Sequence, residues 1–313
     1  MSVEITTAFV KQYSSNVNHL SQQKGSRLQD KVRTESQNSE AAFYERIGSV
    51  DAKEKTTRHA DVEYDDTPHS RRKVTMKDFY YSDLVDKEDK LRLLISPESE
   101  YAQAAVWALG RKKDDIIIAA ALGNSYGGKE GASVIALPND QKIAAFDGTT
   151  STGVNLNIKT LRAVKQKFDG NDVDESIMRY FAISSFQLQS LLGENEITSA
   201  DFNTIKALVQ GEINSFMGFE FCRLERLPRS AVNVTYELLT GVVGSGAGTI
   251  TASKSRRCFA WAKDGLLMSK GSDVNAKISE LPQKHYAHQV YASMSLGATR
   301  MEEVKVVEVI CSE

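Results

Sequence analysis

The chain of 313 residues is 41% hydrophobic and 26% charged, with a formal net charge of −2. This balance is typical of a globular protein with more than one core, and we expect two or three lobes. The near-neutral charge argues against a dedicated nucleic-acid binder, although short basic runs occur at 71–73 and 111–113. No stretch approaches the roughly 20 apolar residues of a membrane span, and the N-terminus lacks the pattern of a secretory signal. We therefore expect a protein that stays in the cytoplasm and has no membrane contact.

The first forty residues predict a helix followed by an arm. Apolar residues at spacings of three and four favour an amphipathic helix over 5–20. The following stretch, 21–40, is polar and has almost nothing to bury. We expect 1–40 to behave as an arm rather than as part of a core.

Two segments rich in aromatic and β-branched residues, 41–47 and 73–85, are predicted to be strands. From Asp51 to Lys73 the chain carries six acidic and six basic residues but only two sizeable apolar groups. Ordering each residue costs about 1–2 kcal/mol, which these side chains cannot supply by themselves. Two interpretations stay open: a disordered insertion, or a projecting hairpin that becomes ordered against a neighbouring molecule through complementary charges.

A single long helix is predicted from Ser96 to Leu122. Ser96 is a good N-cap, Pro97 is tolerated at the first helical position, and the acidic residues that follow favour a helix start. Nothing ends the helix before Gly123, which is the expected terminating residue. The isoleucines at 116–118 favour a strand locally, but such a strand would require a turn in RKKDD, which contains no Gly, Pro, Asn or Ser.

Two catalytic patterns overlap directly after this helix. Gly123, Ser125 and Gly127 spell the G-x-S-x-G of serine hydrolases, and 123–129 spell a phosphate loop without its final Ser or Thr. Both patterns must open into a helix whose N–H groups bind the oxyanion or the phosphate. Here they would follow a helix C-terminus, where the dipole repels negative charge. We therefore expect no enzyme, and a serine hydrolase that uses Ser125 is the alternative.

From Leu156 onward, helical and strand-like segments alternate, which predicts an α/β lobe with a mixed sheet. The glycines at 244–248 lack the spacing of a dinucleotide loop and predict the tip of a hairpin. The tail predicts two long strands around Gly297 to Glu303. Within the lobe we predict helices at 156–170, 186–192 and 200–210, and strands at 179–184, 219–225 and 257–262.

Neither the cysteines nor the histidines predict a metal or a cofactor. Cys222, Cys258 and Cys311 are far apart and form no C-x-x-C pair, so reduced thiols are the simple interpretation. His285 and His288 would point to opposite faces of a strand and do not predict a shared ion.

Four phrases are distinctive: DTPHSRRKVTMKDFYYSDLVDKEDKLRLLISPESEYAQAAVWALGRKKDDIIIAAALG (66–123), TSADFNTIKALVQGEINSFMGFEFCRLERLP (198–228), CFAWAKDGLLMSKG (258–271) and QVYASMSLGATRMEEVKVVEV (289–309). The predicted parts follow the order arm, charged hairpin, long helix, α/β lobe and returning strands. In these phrases and in this order, the chain resembles the major capsid proteins of tailed double-stranded DNA bacteriophages and prophages with the Hong Kong 97 type of fold. The resemblance covers nearly the whole chain and is weakest at 229–255.

This resemblance implies an α+β, Hong Kong 97-like capsid fold in which 1–40 form the N-arm and 41–85 the E-loop. It also implies a P-domain at 86–123 with a long spine helix, and an A-domain at 124–270. Return strands of the P-domain at 271–313 would end at the A-domain. No catalytic residue comes with this role.

In function, the resemblance implies a major head protein that self-assembles into the icosahedral shell around the phage genome. Hexamers and pentamers would assemble in the host bacterial cytoplasm and end in the virion. The implied partners are further copies of the chain, a portal, a scaffold or decoration protein, and, weakly, the packaged double-stranded DNA. A nucleic-acid packaging protein that uses the two basic runs is a third interpretation and predicts salt-dependent DNA binding. From the hairpin charges we predict the subunit-contact residues Glu54, Arg58, Asp65, Arg71 and Arg72.

Overall fold

The structure of the chain is a computed structural model, and its described residues form two compact units. The described residues are 21–55, 58, 61, 64–85, 98–146, 154–193, 215–229, 234–237, 247–250 and 255–313. The first unit comprises Met1–Ser26, Asp78–Lys112 and Ser272–Ser295. The second unit comprises Arg27–Lys77, Lys113–Gly271 and Leu296–Glu313.

Three α-helices and sixteen strands lie in this described part of the chain. The helices are α1 (Glu98–Leu122), α2 (Ile158–Gly170) and α3 (Ser185–Leu192). The strands up to β8 are β1 (Arg33–Ser36), β2 (Ala41–Ile47), β3 (His69–Thr75), β4 (Lys77–Val85), β5 (Ser125–Gly127), β6 (Ser133–Ile135), β7 (Lys142–Ala144) and β8 (Arg179–Ile183). The later strands are β9 (Ser215–Phe216), β10 (Phe219–Arg223), β11 (Val234–Glu237), β12 (Ala247–Ile250), β13 (Ser255–Ala262), β14 (Leu266–Leu281), β15 (Ala287–Arg300) and β16 (Val306–Ser312).

The long helix is confirmed as one unbroken element, α1. The isoleucine triplet belongs to it because Ile117 and Ile118 are buried in the core of the second unit. This burial outweighs their preference for a strand. The helix ends where the Gly123 N–H donates to the carbonyl of Ala119 at 2.9 Å, and a Cβ on Gly123 would lie 2.5 Å from that oxygen. The predicted start at Ser96 lies outside the described residues, and so does the predicted helix over 5–20. None of the three described helices is long and apolar enough to cross a membrane.

A six-stranded mixed sheet is the centre of the second unit, with the order β7-β16-β13-β8-β10-β9. Strand β8 is parallel to β10, whereas β13 is antiparallel to both β8 and β16. Helix α2 begins where the Asn157 side chain accepts from the Thr160 N–H at 2.9 Å, and it buries Leu161 and Phe168 in the core. The predicted α/β lobe is therefore confirmed. The helix predicted at 200–210 and the glycine tip up to residue 246 lie outside the described residues, although β11 and β12 pair as the predicted hairpin.

The N-terminal stretch differs from its prediction. Leu28 and Val32, only 0% and 3% exposed, belong to the main core, and β1 pairs in parallel with the start of β14. The buried carboxylate of Asp114 accepts the backbone N–H groups of Arg27 and Leu28, each at 3.1 Å. Two apolar residues four apart and one carboxylate are enough to dock this polar stretch, so the expectation of an unburied arm is wrong for 27–36.

The single strand predicted at 73–85 is two strands, β3 and β4, separated at Met76. The Met76 N–H still donates to the carbonyl of Glu40, next to β2, at 2.9 Å, and after Met76 the chain enters another sheet as β4. The Met76 side chain packs against Gly271, where a Cβ would lie 2.5 Å from the methionine sulfur. The two long strands of the tail are confirmed as β15 and β16, with the break at 301–305.

In the first unit, β4 lies beside β15. Ser295 donates to the carboxylate of Asp78 at 2.6 Å, and Gln289 donates to Ser82 at 2.7 Å. Tyr80 and Tyr291 stack with a ring-centroid separation of 6.3 Å. These side-chain contacts fix the register of the strand pair on its exposed face.

Candidate subunit-contact surface

Strands β2 and β3 form an antiparallel hairpin with Ala41 opposite Thr75 and Ile47 opposite His69. The hairpin continues into a four-stranded sheet of the second unit with the order β2-β3-β5-β6. Because side chains alternate along a strand, the sheet has two different faces. One face is turned inward and carries Arg72 and Val74, which are each 1% exposed.

The far end of this hairpin holds three of the predicted contact residues. Glu54, Arg58 and Asp65 are all exposed, and so are the other described residues between 48 and 68. Asp65 forms an ion pair of 2.8 Å with Lys53. Both partners are about half exposed, so this pair contributes little to the stability of the subunit.

Arg71 lies on the outward face of β3. Its guanidinium donates to Glu45 at 3.1 Å and lies 5.8 Å from the centre of the Phe43 ring. The two charged partners are substantially exposed, so a surface pair of this kind is worth about 0–1 kcal/mol. Arg71 can therefore exchange its partner at little cost.

Arg72 points the other way and is buried. Its Nη2 donates to both carboxylate oxygens of Glu303, at 2.5 and 2.7 Å, and its Nε donates to the Met301 carbonyl at 3.3 Å. The contact role of all five predicted residues stays a prediction. For Arg72, however, the buried position favours a role inside its own subunit.

Glu303 is the centre of a cluster of three arginines. Arg46 and Arg300 lie 3.9 and 3.7 Å from its carboxylate, in addition to Arg72. Burial lowers the pKa of both Arg72 and Arg300, and Glu303 opposes this by stabilising their charged forms. We call Arg46, Arg72, Arg300 and Glu303 the glutamate cluster. It joins the base of the hairpin to the segment after β15.

The same cluster reaches the end of α1. Arg300 donates from Nη1 to the carbonyls of Ala121 and Gly123, at 2.9 and 2.8 Å, and from Nη2 to the Ile135 carbonyl at 3.2 Å. The last carbonyls of a helix have no partner within it and carry partial negative charge, so a guanidinium is well suited to this position. The hairpin, the helix end and the β5–β6 sheet are thus held by one set of charges.

Comparison with known proteins decides the family. The sequence profile of the family described as phage capsid protein matches residues 5–313. The chain belongs to this family. No curated protein matches the sequence.

Solved capsid structures share the fold of this capsid protein over nearly its whole length. The capsid of Cyanophage P-SCSP1u has a TM-score of 0.73 at 15% identity, covering 97% of this chain and 93% of that chain. The capsid of Helicobacter pylori bacteriophage KHP30 has a TM-score of 0.71 at 11% identity, covering 100% and 98%. The capsid of Cyanophage Pam1 has a TM-score of 0.69 at 13% identity, covering 98% of this chain and 97% of that chain. The fold is therefore the α+β, Hong Kong 97-like capsid fold.

The resemblance seen in the sequence is confirmed by the family and the fold together. The chain is a major capsid protein that self-assembles into the shell of a phage head, and its place is the virion. It is a structural protein and not an enzyme.

The capsid protein does not use its G-x-S-x-G pattern as a nucleophile elbow. Ser125 is 1% exposed and starts a strand, β5, which leads by a tight turn into β6. Gly128 and Gly131 supply the positive φ angles, +86° and +68°, that this turn requires. The glycines therefore serve a hairpin turn, and the serine hydrolase alternative finds no support.

The histidines and the basic runs of the capsid protein make contacts within the subunit. His285 adopts a left-handed conformation in the turn between β14 and β15, and His288 lies 3.8 Å from Glu280. No group of three or more His, Cys, Asp or Glu residues in the described segments could bind a metal ion. In the run 111–113, Arg111 donates to Gln22 at 2.9 Å and the Lys112 ammonium lies 5.5 Å from the centre of the Phe79 ring.

Sequence reasoning missed the glutamate cluster. Arg72 and Glu303 are 231 residues apart, and a charged side chain at a strand position gives no local signal of its partner. The one available hint is the alternation in β3, which places Arg72 on the same face as the apolar Val74. A charge on an apolar face is expected to be paired.

Proposed function

We propose that this capsid protein builds its shell from hexamers and pentamers, with the β2–β3 hairpin as the element that reaches a neighbouring subunit. In this proposal 1–40 is the N-arm, 41–85 the E-loop, 86–123 the P-domain with its spine helix, and 124–270 the A-domain. Residues 271–313 return through the P-domain to the A-domain. Repetition of one modest contact around a closed symmetry then gives a stable particle.

One observation carries this proposal: the hairpin is fixed at its base and exposed at its far end. Seven residue pairs, from Ala41–Thr75 to Ile47–His69, hold its two strands together, and the glutamate cluster ties it to the segment after β15. The described residues between 48 and 68 are all exposed. This favours the projecting hairpin over the disordered insertion, since an insertion without function needs no anchored base.

We assign the contacts with a neighbour to Glu54, Arg58, Asp65 and Arg71. These four are on the surface and have weak partners or none that bury them, so they can form new ion pairs at little cost. Opposite charges on one segment set the register between two copies, because only one alignment pairs them.

The remaining partners follow from the same role. A head of this kind needs a portal, assembles with or without a scaffold or decoration protein, and encloses double-stranded DNA, all in the host bacterial cytoplasm. We expect the contact with DNA to be weak. Arg72 of the first basic run is buried against Glu303, and Arg111 of the second run is hydrogen-bonded to Gln22. A packaging protein that uses these runs is accordingly not favoured.

The experiment is expression of the chain alone, followed by sedimentation and negative-stain microscopy. Closed, regular particles that contain sixfold and fivefold capsomers are expected. Dispersed monomers that stay unassembled under crowding and added salt would contradict assembly by this chain alone. A fluorophosphonate probe should leave Ser125 unlabelled in the same preparation.

A further inference from the structure

The outward face of the hairpin sheet is unusually apolar for an exposed surface. In register across the four strands, Phe43 lies opposite Lys73, Lys73 opposite Tyr126, and Tyr126 opposite Val134. Phe43, Tyr126 and Val134 are 40%, 49% and 59% exposed, and Ile47, on the same face of β2, is 68% exposed. We call Phe43, Ile47, Tyr126 and Val134 the outer face. Exposed apolar side chains gathered on one sheet face, here with Lys73 between Phe43 and Tyr126, favour contact with another protein.

A cavity lies beside this row. Its volume is about 540 Å³, which is ample for one aromatic side chain, and its lining combines basic groups, one carboxylate and backbone. The lining residues are Glu45, His69, Ser70, Arg71, Gly128 and Lys129. Arg71, Lys73 and Lys129 make this region more basic than acidic, so an apolar side chain flanked by carboxylates is the complementary occupant.

The described segment Tyr64–Asp66 of the chain combines an exposed aromatic ring with neighbouring carboxylates. Tyr64 is 92% exposed, the largest exposure among the large hydrophobic side chains of the described residues. Asp65 and Asp66 follow it and are also exposed. Because its ring is almost fully exposed, Tyr64 does not cover the outer face of its own chain.

We propose that the segment Tyr64–Asp66 of one subunit docks on the outer face of a second copy, with the tyrosine ring in the cavity and the carboxylates beside Arg71 and Lys129. The contact is heterologous, because the two surfaces differ. Repeated around an axis, it closes rings of five or six subunits. The proposal rests on the self-assembly of the family and specifies which surfaces of the hairpin sheet meet.

The test uses cysteine cross-linking in assembled particles. The native thiols Cys222, Cys258 and Cys311 are buried, so thiol reagents report on introduced cysteines. A chain with Thr67→Cys and Glu130→Cys is assembled and treated with a short bismaleimide, because these exposed residues lie beside the two proposed surfaces and leave Tyr64 and the outer face intact. Covalent ladders up to five or six subunits are expected, whereas each single variant should give none.

The controls separate this proposal from the shell-building function itself. Particles that form normally but give no ladder, although both thiols react with a maleimide, would overturn the docking proposal and leave shell assembly intact. Ladders from a Met178→Cys, Glu130→Cys pair instead would also overturn it, because Met178 is 57% exposed beside the acidic stretch 172–175. If the double variant folds but does not assemble, co-assembly of the two single variants with wild-type chain must give one dimer band, and its absence counts against the proposal.

Discussion

Arg72 forms an ion pair with Glu303, which lies 231 residues away in the sequence, and its Nη2 donates to both carboxylate oxygens, the nearer at 2.5 Å. The arginine side chain is only 2% exposed. The pair links β3 to the segment between β15 and β16. In the assembly proposed above, this link holds the hairpin base while the exposed far end meets a neighbour. A contact made by the far end can only be reproducible between subunits if the base does not move.

Glu303→Gln should destabilise the subunit strongly. The buried Arg72 and Arg300 would lose the carboxylate that they share, at a cost of about 3–5 kcal/mol. Urea unfolding of the unassembled subunit measures this loss. Glu302→Gln is the matched control: Glu302 is 36% exposed and pairs with Lys305 at 2.8 Å, so we expect a change below about 1 kcal/mol. Equal effects of the two substitutions would show that the glutamate cluster does not fix the hairpin.

Arg71→Glu and Arg72→Glu should fail in different ways although the residues are adjacent. Arg71→Glu leaves the core untouched, so the subunit should keep its thermal midpoint and lose particle yield at least about tenfold. Arg72→Glu places a second carboxylate against Glu303 in a buried site and should prevent folding. Circular dichroism and particle counts distinguish the two. Normal particle yield from Arg71→Glu would remove Arg71 from the contact set.

Two neighbouring aspartates on α1 should contribute unequally to the stability of the subunit. Asp114 is fully buried and accepts the N–H groups of Arg27 and Leu28, so Asp114→Ala should cost about 2–3 kcal/mol and release 27–36 to hydrogen exchange. Asp115 pairs with Arg226 at 2.6 Å on the surface, and Asp115→Ala should cost about 0–1 kcal/mol. The two changes have the same effect on helix propensity, which isolates the docking of the N-terminal stretch. Unchanged exchange in Asp114→Ala would refute that docking.

The last residue gives the subunit part of its acid sensitivity. A hydrogen bond from Arg256, 2.7 Å away, holds the pKa of the Glu313 carboxyl below its usual value. A group with a lowered folded pKa contributes stability above its unfolded pKa, about 4.3 for glutamate, and that contribution is lost as the pH falls through the folded pKa. Stability measured between pH 6 and 3 should therefore fall more in the wild type than in Glu313→Gln. Parallel pH profiles would contradict this contribution.

The parts of the fold that could be predicted from sequence are those with local signals. Gly123 ends α1 by a backbone contact four residues away, and the core periodicity of Leu161 and Phe168 lies within one helix. The burial of Leu28 and the pairing of Arg72 could not be predicted, because their partners are far along the chain and no local pattern names them. The break at Met76 was missed for the same reason: it depends on the distant Gly271.

In the candidate site, too, some features have a local signal in the sequence and others depend on distant strand pairing. The mixed charge around Glu54, Arg58 and Asp65, with few apolar residues, agrees with the exposure of the described residues there, and the contact role of these residues stays a prediction. The outer face could not be found from sequence, because Tyr126 and Val134 come from beyond α1 and join Phe43 only through strand pairing.

The most direct test of shell assembly through the β2–β3 hairpin is a cryo-electron microscopy reconstruction of particles assembled from this chain. We expect a closed icosahedral shell in which the hairpin of each subunit, anchored at Glu303, lies against the adjoining subunit. A particle whose β2–β3 hairpins touch no neighbouring chain, or a homogeneous preparation that forms no shell, would contradict the central claim.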